Sequence, residues 1–135
     1  MNPITALPWK RSKMPETSYF RNRIRSIGFA AKGAWILLKS EASIQVQFVI
    51  ALAVCLAGWY YEISALEWVV QLLAIGMVMG LEGVNTAIEA LSDYVQPERD
   101  SRIGHIKDIS AGAVLIGAVA AGIAGLIIYL PKIFS

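Results

Sequence analysis

The sequence has few of the residues that usually build disulfides and metal centres. Its 135 residues include one cysteine, Cys55, and one histidine, His105. A single cysteine excludes an internal disulfide, and this pair cannot supply a Cys/His zinc cluster. The chain also lacks a G-x-x-x-x-G-K-[ST] phosphate loop, the protein-kinase motifs and a dinucleotide fingerprint. Any nucleotide site in this chain is therefore of an unusual kind.

Charged residues are scarce as well. They make up 16% of the chain, whereas hydrophobic residues make up 56%; an average soluble domain has about 25% charged and roughly 45–50% apolar residues. The apolar residues form long runs, and a chain of this length is too short to bury them all in a soluble core. We therefore predict a single membrane-embedded domain over residues 18–135.

The apolar runs and their interruptions predict the helices. In chain order we expect a flexible tail at 1–17, a surface helix at 18–40, and membrane spans at about 44–60, 65–94 and 104–130. Pro131 is expected to stop the last span. The predicted fold class is an all-α membrane protein with an N-terminal amphipathic surface helix and three transmembrane helices.

The predicted surface helix separates its apolar from its basic residues. The apolar residues recur at intervals of three and four: Ile24, Ile27, Ala31, Trp35 and Leu38. The basic residues recur every seven positions: Arg25, Lys32 and Lys39. This pattern favours a helix lying in the bilayer interface, with packing against protein as the alternative.

Basic residues are distributed unevenly along the chain. The N-terminal segment and the loop at 95–107 hold eleven of the twelve, and the short turn near Glu62 holds none. By the positive-inside rule, the N-terminus and the 95–107 loop face the cytoplasm. A basic N-terminus also suits nucleic acid, but the spans that follow favour anionic lipid as its partner.

The second predicted span carries four polar residues on one face. Glu82, Asn85, Glu89 and Asp93 lie within roughly 80° of arc on a helix. Ionisable residues in membrane helices are costly and usually mark function, although interhelical hydrogen bonds are the alternative for Asn85 alone. We call these four residues the acidic stripe.

The acidic stripe runs from lipid depth into water. Glu82 lies roughly 26 Å from the start of its span, near the inner edge of a core about 30 Å thick, and Glu89 lies about 10 Å further on. Glu41, Lys107 and Asp108 fall at the same level. Carboxylates with phosphate oxygens suit Mg²⁺, and a lysine offsets phosphate charge.

Small residues repeat every four positions along the third span: Ala113, Gly117, Ala121 and Gly125. Small residues at this spacing let two helix backbones approach closely in lipid. This pattern predicts helix packing and needs no further function.

The motifs around these residues resemble those of the prokaryotic diacylglycerol kinase family. The stretch 81–93, LEGVNTAIEALSD, resembles the E-x-x-N-[ST]-A-I-E signature of that family. The stretch 107–114, KDISAGAV, resembles its second motif, and Lys32-Gly33 and Ser40-Glu41-Ala42 resemble its N-terminal segment. The resemblance covers residues 20–132 and departs from the family pattern at Asn22, where the best-known members have an arginine.

This resemblance implies ATP- and Mg²⁺-dependent phosphorylation of a lipid alcohol, either diacylglycerol or undecaprenol. It implies a homotrimer in the bacterial inner membrane with active sites shared between subunits. By resemblance, Glu82 is the general base, and Glu41 and Glu89 are the Mg²⁺–ATP ligands. The remaining positions implied near the nucleotide are Asn85, Lys107, Asp108, Phe29, Glu98 and Arg99.

Two other functions fit parts of the sequence. A small proton or cation transporter, or a channel subunit, would also place acids in a membrane helix. A non-catalytic oligomeric scaffold would use only the small-residue face of the third span. The transporter explains less well why the acidic stripe continues out of the membrane and meets Lys107 and Asp108.

Overall fold

The computed structural model describes residues 16–134, with side chains from residue 21 onward. These residues form no strands and four helices: α1 at Glu16–Ser40, α2 at Ala42–Tyr60, α3 at Ala65–Val95 and α4 at Ser101–Ile133. Three of them, α2, α3 and α4, are long and apolar enough to cross a membrane. The all-α prediction with three spans is confirmed. The predicted tail at 1–17 lies outside the described residues, except for its last two, which begin α1.

The N-terminal unit of the chain ends at Trp35, within α1. Its described side chains expose apolar surface, since Ile24, Ile27 and Trp35 are all more than half exposed. The Arg25 guanidinium lies 5.8 Å from the centroid of the Phe29 ring, one turn along the same helix. Exposed apolar side chains with interspersed basic ones are typical of a helix at a membrane surface.

A single residue, Glu41, separates α1 from α2. Its backbone is extended, with φ −104° and ψ 112°. The Gln45 side-chain Nε2 donates to the carbonyl oxygens of Leu38 at 3.2 Å and Lys39 at 3.1 Å. These bonds satisfy carbonyls that the end of α1 leaves open, so the junction is fixed on both sides of Glu41.

A tight turn at residues 61–64 joins α2 to α3, and we call its side of the membrane the turn side. Glu62 adopts a left-handed backbone with φ 50°. Ser64 and Glu67 form a capping box: the Ser64 N–H donates to Glu67 Oε2 at 2.6 Å, and the Glu67 N–H donates to Ser64 Oγ at 3.3 Å. Lys132 Nζ lies 3.4 Å from Glu67 Oε2. Glu67, which interrupts the apolar run, is therefore a helix cap and an ion-pair partner.

Helix α4 packs along α3, and Gly117 marks their closest approach. A Cβ atom at this position would lie 2.6 Å from Leu81 Cδ1, whereas one at Gly125 would meet nothing within 4 Å. The small-residue face is thus used for close contact at Gly117 and leaves open space at Gly125. The prediction that Pro131 stops the helix is wrong, because α4 continues to Ile133. A proline in the last turn removes only one backbone donor, which the final residues of a helix tolerate.

Among the buried residues of the described part of the chain, polar side chains outnumber hydrophobic ones. Three hydrophobic residues are buried in the described part of the chain, Ile44, Ile63 and Ile128, against five polar ones: Gln71, Glu82, Asn85, Ser92 and Ser110. This is the reverse of a soluble domain, in which apolar residues fill the core. This burial pattern suits helices whose outer apolar faces are covered by lipid. The polar residues buried between the helices are therefore the candidates for function.

Helix α3 is longer than the membrane is thick. Its 31 residues span about 46 Å, so roughly eleven of them extend beyond a hydrocarbon core of about 30 Å. If α3 enters the core at the 61–64 turn, its excess length emerges beside the loop at 96–100. We call that side of the membrane the loop side.

Candidate active site

The buried end of the acidic stripe lies on the loop-side half of α3. Glu82 is 9% exposed and Asn85 is 8% exposed, and both are one to two turns from Glu89, which is exposed. The interval of three and then four residues places all three on one face of the helix. The stripe therefore passes from a buried carboxyl group to an exposed one along about 10 Å of helix axis.

Asn85 connects the buried and the exposed parts of the stripe. Its Nδ2 donates to Glu89 Oε1 at 3.0 Å. Because an ionised carboxylate only accepts hydrogen bonds, this bond fixes which amide atom is the nitrogen. The other amide atom, Asn85 Oδ1, is buried and has no hydrogen-bond partner in the described part of the chain. A buried acceptor without a donor is costly, so Asn85 Oδ1 is a candidate contact for a ligand, an ion or a water molecule.

Lys107 of α4 reaches the far end of the stripe. Its Nζ lies 2.5 Å from Asp93 Oδ1, and the lysine side chain is 32% exposed while that of Asp93 is 66% exposed. The bond brings the start of α4 onto the face of α3 that carries the stripe. The prediction placed Lys107 near phosphates but did not assign Asp93 a role. Their opposite charges are compatible with this pair, but the sequence does not show that the two residues meet.

The 96–100 loop ends in a helix cap. Asp100 Oδ1 accepts a hydrogen bond from the Arg102 N–H at 2.8 Å, and Asp100 Oδ2 accepts one from Arg102 Nη2 at 2.8 Å. The hydrogen bonds from the Arg102 side chain and backbone hold the pKa of Asp100 below its usual range. Glu98 and Arg99, which precede this cap, are exposed, and so is Asp108 on the second turn of α4.

The remaining predicted residues lie on or beside α1. Glu41 is half-buried at the α1–α2 junction, and the Ser40 hydroxyl lies 3.3 Å from its Oε1. Phe29 lies in the N-terminal unit, where it is 65% exposed beneath Arg25. The Gln45 bonds described above place the Glu41 carboxyl group at the loop-side start of α2.

The described residues contain no group of three His, Cys, Asp or Glu side chains that could hold a metal ion. Mg²⁺ does not require one, because it usually takes one or two carboxylates and completes its shell with water and substrate phosphates. Glu89 offers an exposed carboxylate, and Asn85 Oδ1 is a free oxygen acceptor beside it. This donor set is all oxygen, so it fits Mg²⁺ held together with a nucleotide.

A second polar cluster, which the sequence did not reveal, lies toward the turn side. Tyr129 Oη is 2.9 Å from the Val54 carbonyl oxygen and 2.5 Å from Gln71 Oε1, and Gln71 Nε2 donates to the same carbonyl at 3.3 Å. Three helices meet at this point. Gln71 sits eleven residues before Glu82, on the same face of α3, so helical spacing was the available signal.

Comparison with known proteins identifies the class. Residues 28–129 match the family model described as "Prokaryotic diacylglycerol kinase". The undecaprenol kinase of Bacillus subtilis is 37% identical over 109 residues, which cover 81% of this chain and 89% of the relative. The diacylglycerol kinase of Escherichia coli K12 is 34% identical over 109 residues, covering 78% of this chain and 86% of the relative.

The chain has three helices that can span a membrane, a buried acidic residue on the loop-side half of α3, and these relatives. It is a bacterial multi-pass lipid kinase. The chain belongs to the prokaryotic diacylglycerol kinase family. The resemblance recognised in the motifs is therefore confirmed, as is the assignment to lipid kinases. The comparisons give no support to the transporter interpretation.

Proposed function

We propose that this kinase transfers the γ-phosphoryl group of ATP, in the presence of Mg²⁺, to the hydroxyl group of a lipid alcohol, diacylglycerol or undecaprenol. The supporting observation is the stripe itself. A buried carboxyl group at Glu82 and an exposed one at Glu89 lie on one face of a helix, and Asn85, between them in sequence, bonds Glu89 and has an Oδ1 without a partner in the described part of the chain. This change from a buried to an exposed carboxyl group along one helix face suits a reaction between a lipid-dissolved acceptor and a water-soluble donor.

Glu82 is the proposed general base. Its carboxylate accepts the proton of the lipid hydroxyl group while the hydroxyl oxygen forms a bond to the γ-phosphorus, and the bond from that phosphorus to the bridging oxygen of ADP breaks. Phosphoryl transfer depends mostly on position and on offsetting charge, so a fixed helix face is a suitable support. Burial of Glu82 also keeps water, a competing acceptor, away from this position.

Glu41 and Glu89 are the proposed ligands of Mg²⁺–ATP, with Asn85 beside them. The metal would neutralise phosphate charge. Lys107, released from Asp93, would add a positive charge close to the phosphates, and Asp108 lies on the next position of α4. Phe29, Glu98 and Arg99 are carried over by resemblance as residues near the nucleotide.

The two acceptors come from the relatives, one of which is an undecaprenol kinase and others of which are diacylglycerol kinases. The loop side is the proposed cytoplasmic side, since it carries the basic loop and receives ATP. A homotrimer with shared sites is also proposed from the family resemblance. Mixing a Glu41→Gln subunit with a Glu82→Gln subunit tests this arrangement, because activity restored in mixed oligomers requires that the two residues act from different subunits.

The direct test is an assay of the purified protein in lipid with γ-labelled ATP and Mg²⁺. Diacylglycerol and undecaprenol are supplied in separate reactions, and a reaction with neither lipid is the control. Label in the lipid fraction supports the proposal, and the more efficient acceptor identifies the substrate. If neither lipid is labelled while ATP remains intact, the proposed acceptors are wrong.

A further inference from the structure

A groove runs between α2, α3 and α4 at membrane depth. Its volume is about 370 Å³, within the range of small-ligand sites, which starts near 300 Å³. The α4 wall is made of small residues, including Ala121, Gly122 and Gly125, and the α3 wall includes Ile75, Val78 and Met79. Apart from polar groups near its two ends, the lining is apolar, so it suits a hydrocarbon chain.

The groove continues the acidic stripe. Along α3 the groove residues Gln71, Ile75 and Val78 are followed by the stripe residues Glu82, Asn85 and Glu89. The intervals alternate between four and three residues, so all six lie on one face of the helix. A hydroxyl group at Glu82 therefore has the groove directly below it, on the same face, leading away from the loop side.

The groove crosses the middle of the bilayer. Its α3 wall, Gln71 to Met79, extends from about 9 Å to about 21 Å along the helix from Ala65, while the midplane lies near 15 Å. The acyl chains of a diacylglycerol on the loop side stay within their own leaflet and reach only the nearer part. Filling the whole groove requires a chain longer than one leaflet.

The polar groups at the two ends differ. Toward the turn side, Tyr129, Gln71 and the Val54 carbonyl satisfy one another. Gln47, on the α2 wall about 7.5 Å from the loop-side start of that helix, has a buried Oε1 without a hydrogen-bond partner in the described part of the chain. The open acceptor lies nearer the loop side, so the polar end of an occupant belongs there and its apolar end in the groove.

We infer that this groove is a chain-binding site for the acceptor lipid, and that it selects a long polyprenol over a diacylglycerol, whose acyl chains reach only the nearer part of the groove. This inference rests on the proposed kinase activity and adds a specificity-determining site to it. The open space beside Gly122 and Gly125 accommodates the methyl branches of such a chain.

The test narrows the groove without touching the acidic stripe. Gly125→Leu places a side chain in the open space, where a Cβ meets nothing within 4 Å. Ala120→Leu is the matched control, because it adds a leucine to the same helix, about 7.5 Å nearer the loop side, on an exposed position that does not line the groove. Each protein is assayed with undecaprenol, with a one-isoprene prenol and with diacylglycerol, and its oligomeric state is measured.

The expected result is a loss in kcat/KM of about tenfold or more for undecaprenol in Gly125→Leu, since pockets discriminate by about this factor for small changes in shape. In Gly125→Leu the kcat/KM for the one-isoprene prenol, which ends above Gly125, should change less than about twofold, and so should every kcat/KM of the Ala120→Leu protein. Equal losses for the long and short prenols, or no loss for either, would overturn the groove as a chain site. So would a changed oligomeric state in Gly125→Leu alone, which would assign the groove to a second copy. An unmodified protein that labels no lipid refutes the proposed function itself and is thereby distinguished from these outcomes.

Discussion

Buried polar groups toward the two ends of α3 differ in whether their hydrogen bonds are satisfied. Toward the turn side, Gln71 is buried with Tyr129 and the Val54 carbonyl as partners. Toward the loop side, Asn85 is buried with a single partner, and its Oδ1 has none in the described part of the chain. Both regions lie on one face of one helix, so the difference does not come from the backbone.

This difference separates a structural contact from a site. A closed hydrogen-bond network stabilises helix packing in lipid by a modest amount and needs nothing further. A network with an unpaired acceptor keeps the cost of removing that acceptor from water until a ligand provides its partner. We therefore expect substitutions in the acidic stripe to change activity and those on the turn side to change stability.

The largest effect is expected at Glu82. Glu82→Gln removes the proposed base and keeps the size of the side chain, so turnover should fall by about 10²–10⁴-fold. ATP binding and thermal stability should stay close to those of the unmodified protein. Single-turnover assays with labelled ATP measure the chemical step directly. Turnover at the unmodified rate would remove Glu82 from the mechanism.

A smaller effect is expected at Glu89. Glu89→Gln keeps an acceptor for Asn85 but removes a charge, so the KM for Mg²⁺–ATP should rise about 10–100-fold, as for loss of a charged contact worth roughly 1.5–3 kcal/mol. The KM for the lipid should change little. Titrating Mg²⁺ at fixed ATP shows whether the loss is metal-dependent. Unchanged nucleotide affinity would contradict the role of Glu89 as a metal ligand.

On the turn side, Ser64→Ala should change stability and not turnover. The substitution removes the Ser64 half of the capping box with Glu67, and loss of an N-cap usually costs about 1 kcal/mol. Unfolding in mixed detergent micelles measures the loss, and kcat is measured on the same samples. A large fall in kcat at unchanged stability would break the proposed division between the two sides.

The smallest effect is expected at the loop-side cap. Asp100→Ala should speed amide hydrogen exchange in the first turn of α4, where Asp100 accepts from the Arg102 N–H. Because the folded-state pKa of Asp100 is lowered, its stabilising contribution is present above the ordinary aspartate pKa of about 3.9 and is lost as pH falls through the lowered value. The protection of these amides against exchange should stay constant between pH 7 and pH 5 and decline only in stronger acid. The Asp100→Ala protein should lack this protection at every pH.

The spans could be predicted because membrane helices depend on length and composition. The run of apolar residues between Phe48 and Trp59 needs no partner to be recognised. The positions of the helix ends were harder to predict from the sequence. Glu67 interrupts an apolar run, yet Ser64-Ala-Leu-Glu67 is a capping-box pattern that begins the helix. Pro131 was expected to end α4. The end of a helix is set by its last backbone hydrogen bond, and the position of that bond cannot be read from the sequence.

The acidic stripe could be predicted because all of its members lie on one helix, where spacing determines the face. Contacts between helices could not be. The bond between Lys107 and Asp93 depends on how α4 meets α3, and the Tyr129–Val54 contact joins residues 75 positions apart. Gln47 carries no motif, and its importance comes from a groove that exists only once three helices are packed.

The tight turn also gives the chain an order of assembly. Ile63 and Trp68, five and ten residues further on, both pack close to Gly58, where a Cβ atom would lie 2.9 Å from Ile63 Cδ1 and 3.1 Å from the Trp68 ring. Such local contacts close a short loop at small entropic cost and can form while the rest of the chain is still being synthesised. The Tyr129 contact must wait until the last helix is inserted. We therefore expect the α2–α3 hairpin to enter the membrane as a preformed unit, with α4 completing the groove as the final step of biogenesis.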